Sequence, residues 1–340
     1  MRAHRLGVAL LSLSACTSDP AASGPDGGGA GATAWAAAFD ASQVGWLLNT
    51  CGSAPDDLFM VGGSTEKAAA MHFDGAAWAP QDLGVDAPLL NWCHAFARGD
   101  VTMVGRAGTV LHWDGQAWSK QATPTTQDLW GVWGAAPGDL WAVGGDGLAA
   151  GHATLLHFDG SSWTQETLPA LQKVDVWQLL KVWGTSAENV YAVGQRGVVL
   201  HRKGGAWAEE LVGASDDLVS LWGTGPDRIV AVGGRANGIA SVWDGATWET
   251  HELAPTPGLN GVWMRSAGTA HVAGAYGTIG TLDVASGRVD AVDVGSTRLD
   301  LHSVFGDASG RIWAVGGNLG SAHPATFTGV AYGRRLGSEE

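Results

Sequence analysis

Histidines and aspartates are the side chains of this sequence most able to hold a metal ion or move a proton. Of its 11 histidines, four recur at one place in successive segments of chain: His72, His112, His157 and His201. Residues at one position of a repeat are held apart, so they cannot converge on one metal. We interpret them as packing side chains and predict no metal site. Four aspartates recur in the same way and are expected to bond to local backbone after a turn: Asp57, Asp100, Asp139 and Asp227.

Three arginines and two tryptophans are the candidate ligand-binding residues. Arg106, Arg196 and Arg235 each follow, within two residues, a glycine that ends a predicted strand. Together they could clamp a carboxylate or phosphate, although solvated loop charge is the alternative that we favour. Trp92 and Trp177 lie in predicted links, outside the repeated tryptophan positions, and are candidates for ligand stacking.

Catalytic signatures are missing from the sequence. It contains no G-x-S-x-G, no H-E-x-x-H and no phosphate-binding loop, which are the common motifs for nucleophilic, zinc and nucleotide chemistry. We therefore assign no catalytic residue and no cofactor.

Cys51 and Cys93 are predicted to form a disulfide. An even pair in an exported chain favours a bridge. Their Cα atoms must come within about 7 Å for one to form, and both cysteines fall on predicted inner strands of neighbouring units. Two free thiols are the alternative.

The elements that would position these residues form a repeat. Strings like Asp139-Leu-Trp-Ala-Val-Gly144 recur, and their closing glycines stand at 62, 105, 144, 194, 233, 274 and 316. Each unit carries four short apolar stretches separated by turn residues, with Asp-Gly as a tight hairpin between the third and fourth. Seven such units predict an all-β, seven-bladed β-propeller of four-stranded antiparallel blades with almost no helix.

The ends of the chain predict how the ring closes. Trp35 stands where an outer strand is expected, but no unit precedes it. The last unit has a third strand predicted at residues 326–328 and little room for a fourth. Residues 34–39 are therefore expected to supply the outer strand of the seventh blade. A closed ring also removes exposed sheet edges.

The first residues predict export. A basic start, an apolar run from Leu6 to Leu13 and a small-residue exit form a signal peptide over residues 1–15. The stretch Leu13-Ser14-Ala15-Cys16 resembles a bacterial lipobox, which implies lipidation of Cys16. Thr17 after it implies an outer-membrane lipoprotein, facing the periplasm or the cell surface, that reaches the membrane only through its lipid. An ordinary signal peptide with an incidental cysteine is the alternative. Residues 16–33 are a Gly-rich flexible tether, 34–336 the propeller and 337–340 a tail.

The repeat resembles two propeller families. Double glycines followed by a downstream tryptophan resemble kelch repeats, and Asp-Gly-x-x-Trp resembles the Asp-box. Gly105-Arg106, Gly194-Gln195 and Gly274-Ala275 depart from the kelch pattern. The whole is similar to the Trp- and Gly-rich propeller lipoproteins common in myxobacteria. Sialidases also combine Asp-boxes with three arginines on a propeller, which would leave Tyr276 as the possible nucleophile.

Composition limits the function. The 340 residues carry a net charge of −14, so a nucleic-acid binder is not expected. An apolar content of 45% is enough to bury a core. We predict a monomeric, non-catalytic binding platform for a protein or glycan at the cell envelope. The alternatives are a glycan-active, sialidase-like hydrolase or lyase and an assembly factor for an envelope complex.

Overall fold

The computed structural model describes residues 34–147, 153–291, 297–319 and 326–337. The predicted signal peptide, Cys16, the tether to residue 33 and residues 338–340 lie outside these ranges. None of the helices within them is long and apolar enough to cross a membrane.

Seven four-stranded antiparallel sheets form the blades, numbered one to seven in chain order. The first strands are Trp46–Ala54, Leu90–Ala97, Leu129–Ala136, Leu179–Ser186, Leu218–Gly225, Leu259–Met264 and Asp300–Gly306. The second strands are Asp57–Ser64, Asp100–Gly105, Asp139–Gly144, Asn189–Gly194, Arg228–Gly233, Thr269–Gly274 and Arg311–Gly317. The third strands are Lys67–Phe73, Val110–Trp113, Thr154–Phe158, Val199–Lys203, Asn237–Trp243, Ile279–Asp283 and Gly329–Arg335. The fourth strands are Trp78–Pro80, Trp118–Gln121, Trp163–Gln165, Ala206–Glu210, Trp248–Pro257, Arg288–Ala291 and, for blade seven, Ala36–Ala37.

The predicted fold class is confirmed. First strands of neighbouring blades contact one another around the ring, and blade seven contacts blade one, so these strands line the central axis. In the described ranges, helical structure is limited to three single 3-10 turns: Arg106–Gly108, Gln195–Gly197 and Ala275–Gly277.

An N-terminal strand closes blade seven, as predicted. Ala36 pairs with Gly333 and Ala37 with Tyr332, both antiparallel. The predicted third strand of this blade is wrong, because it runs over Gly329–Arg335 and not over residues 326–328. In the other blades the third strand ends at a hairpin glycine that fixes its position. Blade seven has no such hairpin, because its fourth strand comes from the opposite end of the chain.

Tryptophans of the outer strands pack one blade on the next, as the repeat predicts. In three places an outer-strand tryptophan meets, edge to face, an aromatic ring on the second strand of the preceding blade. The pairs are Trp118 with Phe59, Trp248 with Tyr191 and Trp78 with Trp313, with ring centroids 6.0, 6.0 and 5.4 Å apart. Such pairs add about 0.5–1.5 kcal/mol beyond the area that they bury. They hold the blades in a fixed order around the ring.

Candidate functional site

One face of the ring carries both the turns between second and third strands and the links between blades. The pairing of Gly144 with Leu129 shows why: the second strand ends where the first begins. We call this the linker face. The opposite, hairpin face carries the hairpins between first and second strands and between third and fourth strands, such as residues 74–77.

Three turns on the linker face share an unusual backbone. Ala107, Arg196 and Tyr276 are central residues of the 3-10 turns in blades two, four and six, with φ of 53°, 58° and 56°. This left-handed conformation costs a non-glycine residue about 1–2 kcal/mol. An aspartate just before or at the start of the next first strand accepts the N–H of each central residue and holds the conformation. The partners are Asp128, Asp217 and Asp300, at 2.9, 2.9 and 2.8 Å.

These turns present their central side chains outward. Tyr276 is 75% exposed, an unusual position for a large aromatic ring. Arg196 is also exposed, and among the described residues its guanidinium has no hydrogen bond or ion pair. Non-glycine residues held in this conformation cluster at functional sites. These turns were not predicted as a site from the sequence. The motif G-x-x-G, which occurs at 105–108, 194–197 and 274–277, is the sequence feature that marks them.

Two of the three predicted arginines are paired with carboxylates. Arg106 Nε lies 3.6 Å from Asp128 Oδ2. Arg235 reaches Asp217 Oδ2 with Nε at 2.8 Å and Nη2 at 2.5 Å. Arg196 also binds Asp217, but through its backbone. Arg196 and Arg235 therefore meet at one carboxylate, while Arg106 lies at a different link.

Trp177 lies on the linker face beside the blade-four turn. The backbone N–H of Trp177 donates to Gln195 Oε1 at 3.0 Å, and the residue is half-buried. In the same link Val174 is 74% exposed. Trp177 and Arg196 are thus neighbours through Gln195.

Trp92 is placed elsewhere, in a cavity on the ring axis with a volume of about 330 Å³. The tryptophans that recur on the inner strands also line this central cavity. Its aromatic wall consists of Trp92, Trp133, Trp183, Trp222, Trp263 and Phe305. These rings also pack one blade on the next, as the sequence predicts: a Cβ atom at Gly184, Gly223 or Gly306 would lie 2.9, 2.6 or 2.4 Å from the tryptophan ring of the preceding blade, Trp133, Trp183 or Trp263.

The first strands carry three titratable groups with lowered pKa values: a buried Lys181 and two half-buried histidines, His94 and His302. Burial lowers the pKa of His94 to about 4. Burial and the nearby charge of Lys181 lower the pKa of His302 to about 4, against a hydrogen bond to the Leu48 carbonyl. Burial also places the pKa of Lys181 well below its ordinary value. All three shifts favour uncharged side chains.

The repeated histidines pair with the repeated polar residues of their own blades. His72, His112 and His157 reach Asp57, Asp100 and Asp139 at 2.9, 3.1 and 2.6 Å. His201 lies between Asn189 and Glu210 at 2.7 and 2.6 Å. The expectation that these aspartates bond to local backbone is wrong for the three in pairs, because the second strand places them opposite the third.

Cys51 and Cys93 are joined through their Sγ atoms, with Cα atoms 5.9 Å apart. The bond links the first strands of blades one and two. Both residues line the central cavity.

Comparisons with known proteins show the fold. No family model matches the chain, and no curated protein matches it. Among solved structures, it resembles "YCF48 bound to D1 peptide" at a TM-score of 0.64 and 15% identity, over 89% of this chain and 97% of that one. It also resembles a streptogramin B lyase at a TM-score of 0.69 and 9% identity, over 89% of this chain and 97% of that one. The WD40 propeller domain of Doa1 matches at a TM-score of 0.67 and 10% identity, over 90% of this chain and 99% of that one. The resemblance to kelch and Asp-box lipoproteins stays a sequence resemblance.

Proposed function

We propose that this protein is an exported, lipid-anchored β-propeller that acts as a non-catalytic binding platform for a protein partner at the cell envelope. Propeller neighbours include WD40 domains and a protein solved with a bound peptide, and binding or scaffold roles are typical of this fold. The platform is the linker face.

The observation that carries the proposal is the set of aspartate-held turns. They keep Arg196 of blade four and Tyr276 of blade six exposed in a conformation that costs stability, and a half-buried Trp177 lies beside the blade-four turn. Tyrosine, tryptophan and arginine are the residues enriched at binding hot spots. The paired state of Arg106 and Arg235 favours this function over a three-arginine clamp for a glycan acid.

The test is capture from the native envelope with matched variants. Wild type, Tyr276→Ala, Arg196→Ala and the hairpin-face control Gln116→Ala are cross-linked to membranes, and recovered proteins are quantified by mass spectrometry. We expect one partner to be retained by wild type and Gln116→Ala and reduced at least tenfold by the two linker-face variants. Equal recovery with all four proteins would refute the platform on this face.

A glycan array and a hydrolysis screen run beside this capture. Turnover that is lost when Arg106, Arg196 and Arg235 are all replaced by Ala would replace the platform with the hydrolase or lyase. Binding to glycans without turnover would change the partner class and leave the face in place.

Anchoring through Cys16 has its own test. In a Gram-negative host, the wild-type chain should partition with outer membranes and incorporate a labelled fatty acid. Cys16→Ala should do neither. Membrane association that survives this substitution would contradict lipidation as the anchor.

A further inference from the structure

Two register layers of the first strands lie at the central cavity. The layer nearer the linker face holds Asn49, Trp92, Gly131, Lys181, Ser220, Gly261 and Ser303, which share one register position. Of these, Asn49, Trp92 and Lys181 line the cavity. The next layer holds Cys51, His94, Trp133, Trp183, Trp222, Trp263 and Phe305. Lining residues continue to Gly52, Ala95 and Gly306, toward the hairpin face. The cavity is therefore separate from the linker face.

Lys181 is the single cation among the side chains that line this cavity, and no carboxylate lines it. The residue is only 3% exposed. Within the described part of the chain, the structure gives its ammonium no hydrogen bond and no ion pair. Its Nζ lies over the ring of Trp92, 2.8 Å from the centroid.

A glycine lies at the register position between Trp92 and Lys181. Gly131 occupies the matching position of blade three, between Trp92 in blade two and Lys181 in blade four. A Cβ atom at Gly131 would lie 3.2 Å from Lys181 Cα, tighter than an ordinary contact. The glycine thus lets the first strands of blades three and four approach closely at the level of Lys181.

A buried ammonium without a partner is costly, and a cation–aromatic contact offsets only part of that cost. A neutral amine avoids the charge but still lacks a hydrogen-bond partner. A carboxylate placed beside Nζ would supply both the opposite charge and the acceptor. Aromatic rings on the remaining walls would cover a flat apolar body, and the volume is at the lower end of ligand sites, which span about 300–1,000 Å³.

We propose that the central cavity binds a small aromatic monocarboxylate, with its carboxylate on Lys181 and its ring against the tryptophan wall. This site is independent of the platform on the linker face. It would make the axis of the ring a small-molecule site that the proposed function does not require.

Binding has a proton signature. The titratable groups that face Lys181 are His94, which lines the cavity, and His302, whose pKa the charge of Lys181 lowers. Because burial lowers the pKa of Lys181, a carboxylate that binds beside a neutral amine takes up a proton from solvent. The ligand, the amine and one proton give the ion pair, with no other reactant.

The experiment is isothermal calorimetry with 2-naphthoate at pH 8 in Tris and in phosphate buffer. The matched probe is 2-naphthalenemethanol, which keeps the rings and lacks the charge. The variants are Lys181→Met, Lys181→Ser and the exposed control Lys120→Met. The serine variant carries at this position the same residue type that blades five and seven have there, Ser220 and Ser303. Melting temperatures check that each is folded, and Lys181→Met is expected to melt no lower than wild type because it removes an unpaired buried amine.

We expect 2-naphthoate to bind wild type and Lys120→Met with similar affinity and with net proton uptake. Affinity should fall at least tenfold for the alcohol and for either Lys181 variant. No heat and no tryptophan quenching with folded wild type would overturn the proposal. So would equal affinity in the Lys181 variants. None of these outcomes bears on capture by the linker face.

Discussion

His302 Nδ1 donates a 2.6 Å hydrogen bond to the carbonyl oxygen of Leu48, and so joins blade seven to blade one. Two asparagines at the matching position do the same elsewhere in the ring. Asn91 donates to Leu129 O at 2.9 Å and Asn260 to Leu301 O at 3.0 Å. A polar side chain at this position thus bridges first strands of adjacent blades, and at the closing seam that side chain is titratable.

Acid should destabilise the ring through this histidine. Its pKa of about 4 lies below the ordinary value of 6.5, so between these values the unfolded chain binds the proton and the folded chain does not. Stability is therefore complete above pH 6.5 and is lost as the pH falls toward 4, by up to about 1.4 kcal/mol per pH unit for one such group.

The replacement His302→Asn isolates the effect. Urea unfolding at pH 7 and pH 4.5 should show a smaller loss of the free energy of unfolding on acidification than in wild type, by about 1–3 kcal/mol. Asparagine keeps a donor for Leu48, so stability at pH 7 should change little. Parallel pH profiles for both proteins would contradict this prediction.

Deleting residues 34–40 should weaken blade seven. The deletion removes the partner of Gly333 and Tyr332 and leaves the third strand as an exposed edge. We expect the melting temperature to fall by about 5 °C or more, given that 1 kcal/mol is worth roughly 2–4 °C in larger domains. Scanning calorimetry measures it, and a chain lacking residues 17–30 is the control. An unchanged melt would mean that the N-terminal strand does not contribute to closure.

The bond between Cys51 and Cys93 should show in alkylation and in stability. Without reductant, mass spectrometry of the denatured chain should find neither thiol labelled; two labels would refute the bridge. The bonded residues are 42 apart in sequence, and a loop of that length is worth about 4 kcal/mol in the chain-entropy model. Denaturant unfolding of Cys51→Ser/Cys93→Ser should give a loss of that order.

Tyr276→Gly should separate stability from binding. Glycine relieves the left-handed backbone at a cost in chain entropy, so the free energy of unfolding should rise by about 0–1 kcal/mol. Capture of the envelope partner should nevertheless fall. Ala107→Gly is the matched control, because Ala107 has the same backbone conformation and no large side chain. Loss of capture by both variants would point to the backbone and not to the tyrosine ring.

The repeat made most of the fold predictable. Closing glycines and hairpin Asp-Gly pairs mark the ends of strands. The alternation of apolar and polar residues that predicts a strand can be recognised from neighbouring residues alone. The pairing of Asp57 with His72 was not predictable, since it depends on the register that places Phe59 opposite His72.

The site was harder to predict for a similar reason. Alternation places Trp133 and Trp183 on one side of the sheet, where they pack on Gly184 and Gly223 of the next blade. That the same side also borders a cavity depends on the closed ring, which local sequence does not show. Lys181 was visible as a charge within the apolar stretch Leu179-Leu180-Lys181-Val182-Trp183. Its role as a candidate ligand-binding residue depends on its contact with Trp92, almost ninety residues earlier in the chain, which local sequence does not show.

The short N-terminal strand has a mechanical consequence. Any tension on the chain ahead of residue 34 enters the ring through two residue pairs, Ala36 with Gly333 and Ala37 with Tyr332. The other six blades have fourth strands joined by continuous hairpins, so no external pull acts directly on their edges. We expect blade seven to yield first under load and the remaining blades to keep their shape. A ring tethered in this way would open at blade seven under force and close again when the force is released.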